Sequence, residues 1–235
     1  MIAVRSFVFV TLFYLWSLLV SIVILPLMLA PSLWMVRSFK IWSLGIHWLL
    51  KVCCDITVEI RGREHIPTGS ALVAPKHECM LDVFSQFSAL PNSLWVMKAE
   101  LAWIPFLGWY GVKTGAIVIK REEAANALRY MLREAKQRFT RNRQLVIFPE
   151  GTRGPPLVPG VYKPGIAALY REFDLPVHPV ATNSGMHWPA HGFIRKPGTI
   201  VFEYLEPIPP GLKRAEFMRT LEERIETASR KLESL

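Results

Sequence analysis

The sequence predicts an α/β fold: a layered domain with a largely parallel central sheet flanked by helices, preceded by an N-terminal helical membrane anchor. Three observations predict it. Residues 6–36 carry no charge, a run of 31. Behind that run, short apolar segments of strand type alternate with helical patterns, as in a sheet covered on both faces. The polar clusters able to do chemistry each lie at the end of one of those strands. A chain of 235 residues suits one such domain and an appendage. This sets an anchor over 1–54 and a catalytic domain over 55–235, with a candidate linker around Cys53 to Asp55.

As a straight helix the uncharged run would reach about 45 Å, against about 30 Å of bilayer hydrocarbon. It is too long for one untilted span, and Pro26 and Ala30-Pro31-Ser32 offer breaks. Winding Leu33 to Val52 at about 100° per residue gathers Arg37, Lys40, His47 and Lys51 into about 80° of arc. Trp34, Phe39, Trp42, Ile46, Leu49 and Leu50 cover much of the rest. A narrow basic stripe on an apolar helix fits one lying in the membrane interface with its cations on headgroup phosphates. The two helices form either a single span or a hairpin that dips in and returns. A cleaved signal peptide is disfavoured, because the apolar core exceeds ~15 residues and no A-x-A site follows.

Composition agrees. The chain is 51% hydrophobic with mean hydropathy +0.25 and formal net charge +9. Net positive charge fits either nucleic acid or anionic lipid. The apolar N-terminus favours lipid, and nothing beyond net charge supports a nucleic-acid partner. Arg37, Lys40 and Lys51 after the apolar run outnumber Arg5 before it, which puts the domain on the cytoplasmic face. Three cysteines, Cys53, Cys54 and Cys79, with no C-x2-C spacing, argue against a disulfide framework or a zinc site and fit a reducing compartment.

In chain order, Asp55–Ile60 alternates as a strand, Ala71–Ala74 is a short buried-type strand, and the segment after Asp82 reads as a helix. Leu94–Met97 and Ala116–Ile119 are strands. From about Glu122 to Arg141, Leu128, Met131, Leu132, Ala135 and Phe139 recur on one helical face behind acids at the start. Leu145–Phe148 is a fully apolar strand. A Gly/Pro-rich loop runs to Pro164, followed by a helix at Ile166–Phe173 and strands at Val177–Val180 and Thr199–Tyr204. From Arg214, Phe217, Leu221, Ile225, Ala228, Leu232 and Leu235 fall at helical spacing, so the tail packs back on the domain.

Three clusters carry chemistry. His77 and Asp82 are five residues apart, so a regular helix would turn them about 140° away from each other. The geometry that joins them puts His77 in the turn after a strand and Asp82 in the first turns of a helix, where its charge suits the dipole. An imidazole can then take a proton from an alcohol while the carboxylate fixes its tautomer. The second cluster is Phe148-Pro149-Glu150-Gly151-Thr152-Arg153, just past a buried strand, where open α/β sheets place ligands. A hydroxyl and a guanidinium there can bind phosphate oxygens, and a glycine lets backbone approach. The third, Gly115 to Arg121, ends a strand with two cations. Each cluster in isolation reads more simply as a surface pair, a turn or a basic strand end; their joint presence at strand ends is the signal.

His77-x4-Asp82, Gly115-x-Ile117-x-Ile119-x-Arg121, Phe148-Pro149-Glu150-Gly151-Thr152-Arg153 and Leu175-Pro176-Val177-x-Pro179-Val180 occur in this order. They resemble the four motifs of the glycerolipid acyltransferase family, in particular its bacterial, PlsC-type 1-acyl-sn-glycerol-3-phosphate acyltransferases. The similarity covers about residues 55–210, and the apolar N-terminus resembles that family's membrane anchor. The resemblance implies acyl transfer from acyl-CoA or acyl-carrier protein to the sn-2 hydroxyl of lysophosphatidate, forming phosphatidate at the inner membrane, with no cofactor and no metal. It implies His77 as general base and Asp82 as its orienter. It implies Arg121 on the acceptor phosphate, Gly115 shaping its strand end, and Glu150, Gly151, Thr152 and Arg153 lining the acceptor site. Lys163 matches a further basic position and is the weaker phosphate candidate; Pro176 and Pro179 fall in a motif linked to the acyl side or to packing and are not taken as ligands.

Departures from the family pattern are Lys76 where Asn is usual, Glu78 where a neutral or basic residue is usual, and Cys79 where Ser is frequent. Lys76 and Glu78 bear on the acceptor class, leaving glycerol 3-phosphate or another lyso-lipid, such as a lyso-aminolipid, as the alternative. A catalytically silent lipid-binding protein is the alternative outside enzymes. Cys79 beside His77 suggests a thiol nucleophile only weakly. Gly108-x2-Gly111-x-Lys113-Thr114 lacks the spacing of a phosphate loop, no G-x-S-x-G occurs, and His187-x3-His191 is interrupted by Pro189, against a helical metal pair. His47, His65 and His178 read as interfacial, surface and strand residues.

Overall fold

The computed structural model describes residues 1–120, 124–139 and 142–234, so Leu235 lies outside the described residues. Two long helices open the chain, α1 (Ile2–Ile24) and α2 (Ser32–Cys54), joined by a short 3-10 turn at Leu25–Leu29 that carries Pro26. They pack antiparallel. Arg5 at the start of α1 donates from Nε to the Cys53 carbonyl at the end of α2 (2.7 Å), and midway the Trp16 indole donates to the Trp42 carbonyl and the Trp42 indole to Ser17 Oγ. The two helices thus form a helical hairpin. No linker follows it: α2 ends at Cys54, Asp55 caps it in the left-handed region (φ 56°), and β1 begins at once at Ile56.

β1 (Ile56–Arg61) is followed by β2 (Ala71–Pro75), α3 (Leu81–Ala89), β3 (Ser93–Lys98), a 3-10 turn at Ala99–Trp103 and α4 (Leu107–Lys113). Then come β4 (Ile117–Ile119), α5 (Ala124–Arg138), β5 (Gln144–Val146), α6 (Gly165–Phe173), β6 (Val177–Thr182), the single turn α7 (Ser184–His187), β7 (Gly198–Tyr204) and α8 (Arg214–Glu233). The sheet order is β1-β7-β6-β2-β5-β3-β4. Five strands, from β6 to β4, run parallel; β7 meets β6 antiparallel and pairs parallel with β1. The reversal has a local cause. Between β6 and β7 no helix crosses the sheet face; the single turn α7 and a loop return the chain at the same edge.

Strand alternation sorts the core into two layers. Val73, Trp95, Met97, Val146 and Val180 face the side covered by the hairpin and α3, together with Phe9, Phe13, Ile46 and Phe84. Leu72, Leu94, Ile117, Leu145 and Val177 face α5, α6 and α8, whose Met131, Leu169 and Phe217 meet them. The hairpin thus shares a core with the sheet. α1 contributes a seam of buried Ser6, Phe9, Phe13 and Ile24 edged by half-buried Val10, Trp16 and Val20; most of its other apolar side chains are exposed.

One sequence expectation changes and one exclusion stands. His47 does not join the cationic stripe of α2: it is half-buried, with Nε2 3.2 Å from Ser85 Oγ of α3, because α2 packs that face on α3. Arg37, Lys40 and Lys51 remain exposed. Gly108 to Lys113 lies in the helix α4, a conformation no phosphate loop has.

Candidate active site

β2 ends at Pro75, and Lys76 still donates its amide to the Val180 carbonyl of β6 (2.9 Å), so the chain leaves the sheet only at His77. α3 begins four residues later and puts Asp82 in its first turn. From there the carboxylate reaches back. Asp82 Oδ2 accepts the amides of Glu78 (2.6 Å) and Cys79 (2.7 Å) and faces His77 Nδ1 at 3.1 Å. Its Oδ1 accepts the Ser184 hydroxyl (2.5 Å) and the Cys79 thiol (3.4 Å). The Asp82 side chain is fully buried, while that of His77 is 15% exposed. With Nδ1 occupied, Nε2 is the ring nitrogen left for a substrate proton.

The loop after β5 holds His77 in place. The His77 amide donates to Glu150 Oε1 (2.9 Å), the His77 carbonyl accepts the Gly154 amide (2.8 Å), and the Phe148 ring stacks on the imidazole with centroids 4.0 Å apart. The Phe-Pro-Glu-Gly-Thr-Arg segment and the His-x4-Asp segment are therefore one unit. Glu150 is buried, and burial raises its carboxyl above the ordinary range. Its side chain fits only because Gly160 folds over it: a Cβ there would collide with the Glu150 carboxylate.

Around this unit the expected ligands fall in different places. Thr152, Arg153 and Lys163 are exposed on the same loop. Gly151 turns it at φ +69°, and the Lys163 stem packs over Gly151 while the Lys163 amide donates to the Pro149 carbonyl (2.7 Å). Arg153 Nη1 donates to the Ala190 carbonyl (3.1 Å). Gly115 does not join them. It sits before β4 at φ +85°, beside Arg143 and Leu94, at the opposite end of the parallel strands from His77. The backbone turn into the strand requires it there. Arg121 lies outside the described residues.

Lys76, Glu78 and Cys79 all point inward. Lys76 Nζ lies 2.8 Å from both carboxylate oxygens of Glu226 on α8, which also accepts the Tyr162 hydroxyl (3.0 Å). Glu78 Oε2 accepts the Gly185 amide (2.8 Å); burial, then the nearby Asp82 charge, push its carboxyl well above the usual carboxylate range. Cys79 is fully buried, and burial with the Asp82 charge drives its thiol pKa up, which leaves it inert as a nucleophile. Among the described residues no cluster of three or more His, Cys, Asp or Glu is arranged to hold a metal, and α7 ends at His187, so His187 and His191 do not share a helix. Sequence reasoning missed Ser184, Phe148 as a ring partner, and the Lys76–Glu226–Tyr162 cluster.

The acyltransferase family model matches residues 57–183. The chain is 33% identical to a 1-acyl-sn-glycerol-3-phosphate acyltransferase of Pseudomonas aeruginosa over 68% of its own length and 62% of that protein's. It is 35% identical to a protein of the same name from Helicobacter pylori over 48% of each chain. The chain thus spans about half to three-fifths of these curated relatives. The crystal structure of PlsC from Thermotoga maritima, the 1-acyl-sn-glycerophosphate (LPA) acyltransferase, superposes with a TM-score of 0.82 at 20% identity, covering 100% of this chain and 99% of that one. That likeness shows the fold, hairpin included, and the family match over more than half of the sequence, across both halves of the His77 unit, shows the descent: this chain belongs to the acyltransferase family.

Proposed function

We propose that the protein transfers an acyl group from an acyl thioester, acyl-CoA or acyl-carrier protein, to the sn-2 hydroxyl of lysophosphatidate and so forms phosphatidate. The observation that carries this reading is the His77–Asp82 pair clamped by the Glu150 loop, in a family whose relatives bear that activity in their names. His77 Nε2 takes the hydroxyl proton as the oxygen attacks the thioester carbonyl carbon. The tetrahedral intermediate then collapses, the C–S bond breaks, and the thiol leaves with the proton returned by His77. Asp82, fully buried, keeps Nδ1 protonated and supports the imidazolium. General-base catalysis of this kind contributes about 10²–10⁴-fold, and positioning of the two substrates supplies much of the remainder. Arg153 and Lys163, exposed on the loop that braces His77, are the described cations suited to the acceptor phosphate; Arg121 is a third by sequence.

The inward orientation of Lys76 and Glu78 supports lysophosphatidate over another acceptor, because the two departures that bear on the acceptor do not face the substrate side. The hairpin supports work at a membrane: Ile2–Leu29 is a helical stretch long and apolar enough to cross a bilayer, with an 18-residue window of mean hydropathy 2.5 of which only 17% is buried. Arg37, Lys40 and Lys51 orient the domain to the cytoplasmic face of an inner membrane.

The test is acyl transfer by the purified full chain in detergent and in vesicles. Lysophosphatidate, glycerol 3-phosphate and a lyso-aminolipid are offered with each donor, and His77→Ala is the control. Phosphatidate made from lysophosphatidate alone, and lost in the variant, is the expected result. Near-normal turnover by His77→Ala would sink the mechanism, and turnover of another acceptor would move the substrate assignment.

A further inference from the structure

We infer that the segment from Ala99 to Lys113 is a second membrane-docking element, separate in sequence from the hairpin, that lays the flank of the domain between the His77 end of the sheet and the start of β4 on the lipid surface. The inference rests on the reading that the chain works at a bilayer. From Leu101 to Val112 there are twelve residues without a charge, among them Trp103, Phe106, Trp109 and Tyr110. In the fold this stretch packs inward chiefly through Gly108 and Tyr110. Leu101, Trp103, Ile104, Leu107, Trp109 and Val112 are all exposed, Trp103 at 88% and Trp109 at 49%. Single exposed hydrophobics are ordinary on a protein surface; six within twelve residues, two of them tryptophan, mark a contact surface.

Two observations commit it to lipid. First, it is continuous with the apolar hairpin. The Tyr110 hydroxyl donates to the Ser21 carbonyl of α1 (2.5 Å), and Tyr110 packs in one cluster with Ile24 and Met35, joined by Phe106, Leu27 and Phe39. The exposed faces of α1 and α4 therefore adjoin at the hairpin's turn. Second, the ends carry cations, Lys98 and Lys113, and the one acid in the segment, Glu100, is paired with Lys98 at 2.7 Å. Tryptophan on an uncharged face with lysine at its borders is the composition of an interfacial element. At seven residues, α4 reaches about 10 Å, so it lies on the bilayer rather than through it.

Its place in the sheet gives it a consequence. Val146 of β5 pairs with Val73 of β2 on one side and Trp95 of β3 on the other. His77 follows Val73 by four residues, Glu150 follows Val146 by four, and Ala99 follows Trp95 by four. All three leave the sheet at the same end. The segment leaves the sheet at the His77 end and closes two residues before Gly115 at the other end, so it is the contact at its start, around Leu101, Trp103 and Ile104, that lies on the side of His77, where a lysolipid presents its hydroxyl.

The experiment uses the full chain in vesicles of phosphatidylethanolamine and phosphatidylglycerol. In a Cys53→Ser background, an environment-sensitive fluorophore is attached at Ile104→Cys, at Leu19→Cys on the hairpin, or at Glu223→Cys on the far face of the domain. Quenching by a lipid-borne nitroxide is compared with quenching by aqueous iodide, so the readout is independent of turnover. The proposal expects the label at 104 to be quenched from the lipid and shielded from iodide, unlike the label at 223. Iodide quenching at 104 equal to that at 223 would overturn it. Shielding from both quenchers with label self-quenching would overturn it in favour of a second copy on this face. A label at 19 exposed to iodide while 104 is in lipid would instead remove the anchor reading and leave this one standing. As a functional arm, Trp103→Asp with Leu107→Asp should lower turnover of vesicle-borne acceptor at least ~10-fold more than turnover in detergent; equal losses in both would count against the proposal.

Discussion

Asp82 shows how much one side chain does here. Its two oxygens take two backbone amides, a serine hydroxyl and a thiol besides facing His77, so it shapes the turn that carries His77 as well as orienting the ring. Asp82→Asn replaces an acceptor-only group with one that must donate on one side. It should lower kcat by about 10²–10⁴-fold, measured with saturating donor and acceptor, and a loss under about threefold would remove Asp82 from its assigned role. Glu78, four residues before it, makes a separate prediction. Its folded pKa is raised, so the folded state holds a proton that the unfolded chain releases above the ordinary carboxylate pKa. Stability from this group is full below the unfolded pKa and is lost as pH rises toward the folded one. Glu78→Gln should flatten the decline in melting temperature between about pH 5 and the folded pKa of about 9; parallel declines in both proteins would show that Glu78 is already ionised. The His77–Asp82 pair was legible in the sequence because both residues lie within one turn of chain. Ser184 was not, since it arrives from a segment 102 residues away.

At the scale of elements, the loop after β5 works as a brace. Glu150, Phe148 and Gly154 hold the His77 amide, ring and carbonyl, and Gly160 makes room for the Glu150 carboxylate. Gly160→Ala should push Glu150 off the His77 amide and lower kcat by ~10–100-fold, the scale of a misplacement near 1 Å. Gly69→Ala, with nothing within 4 Å of the added carbon, is the control and should keep full turnover; equal effects of the two would sink the brace. The apolar strands and the amphipathic helices α5, α6 and α8 were legible because burial on two faces or on one stripe writes its period into the chain. α4 was not, because its residues are apolar nearly all round and its two glycines suggest a loop. The antiparallel step between β6 and β7 was not either, since it depends on a missing crossover rather than on any residue.

Across the whole molecule, a buried charge pair ties the first strand turn of the site to the last helix. Lys76 and Glu226 are 150 positions apart, with side chains 2% and 7% exposed, and Tyr162 from the bracing loop completes the group. In the sequence Lys76 read as a departure bearing on the acceptor, because its partner cannot be seen from local pattern. In the fold it closes α8 over the catalytic turn. A buried pair contributes little net stability against an apolar replacement, yet breaking it strands a charge. Lys76→Met should therefore destabilise the protein by about 3–5 kcal/mol, read from urea denaturation of the detergent-solubilised chain. Lys76→Met with Glu226→Leu should recover most of that loss, since neither ion then remains buried, although the Tyr162 hydroxyl loses its acceptor and keeps the recovery incomplete. A double variant as unstable as the single would mean that Lys76 is held for its own packing, and that α8 is fixed to the site by its apolar stripe of Phe217, Leu221 and Ile225 alone.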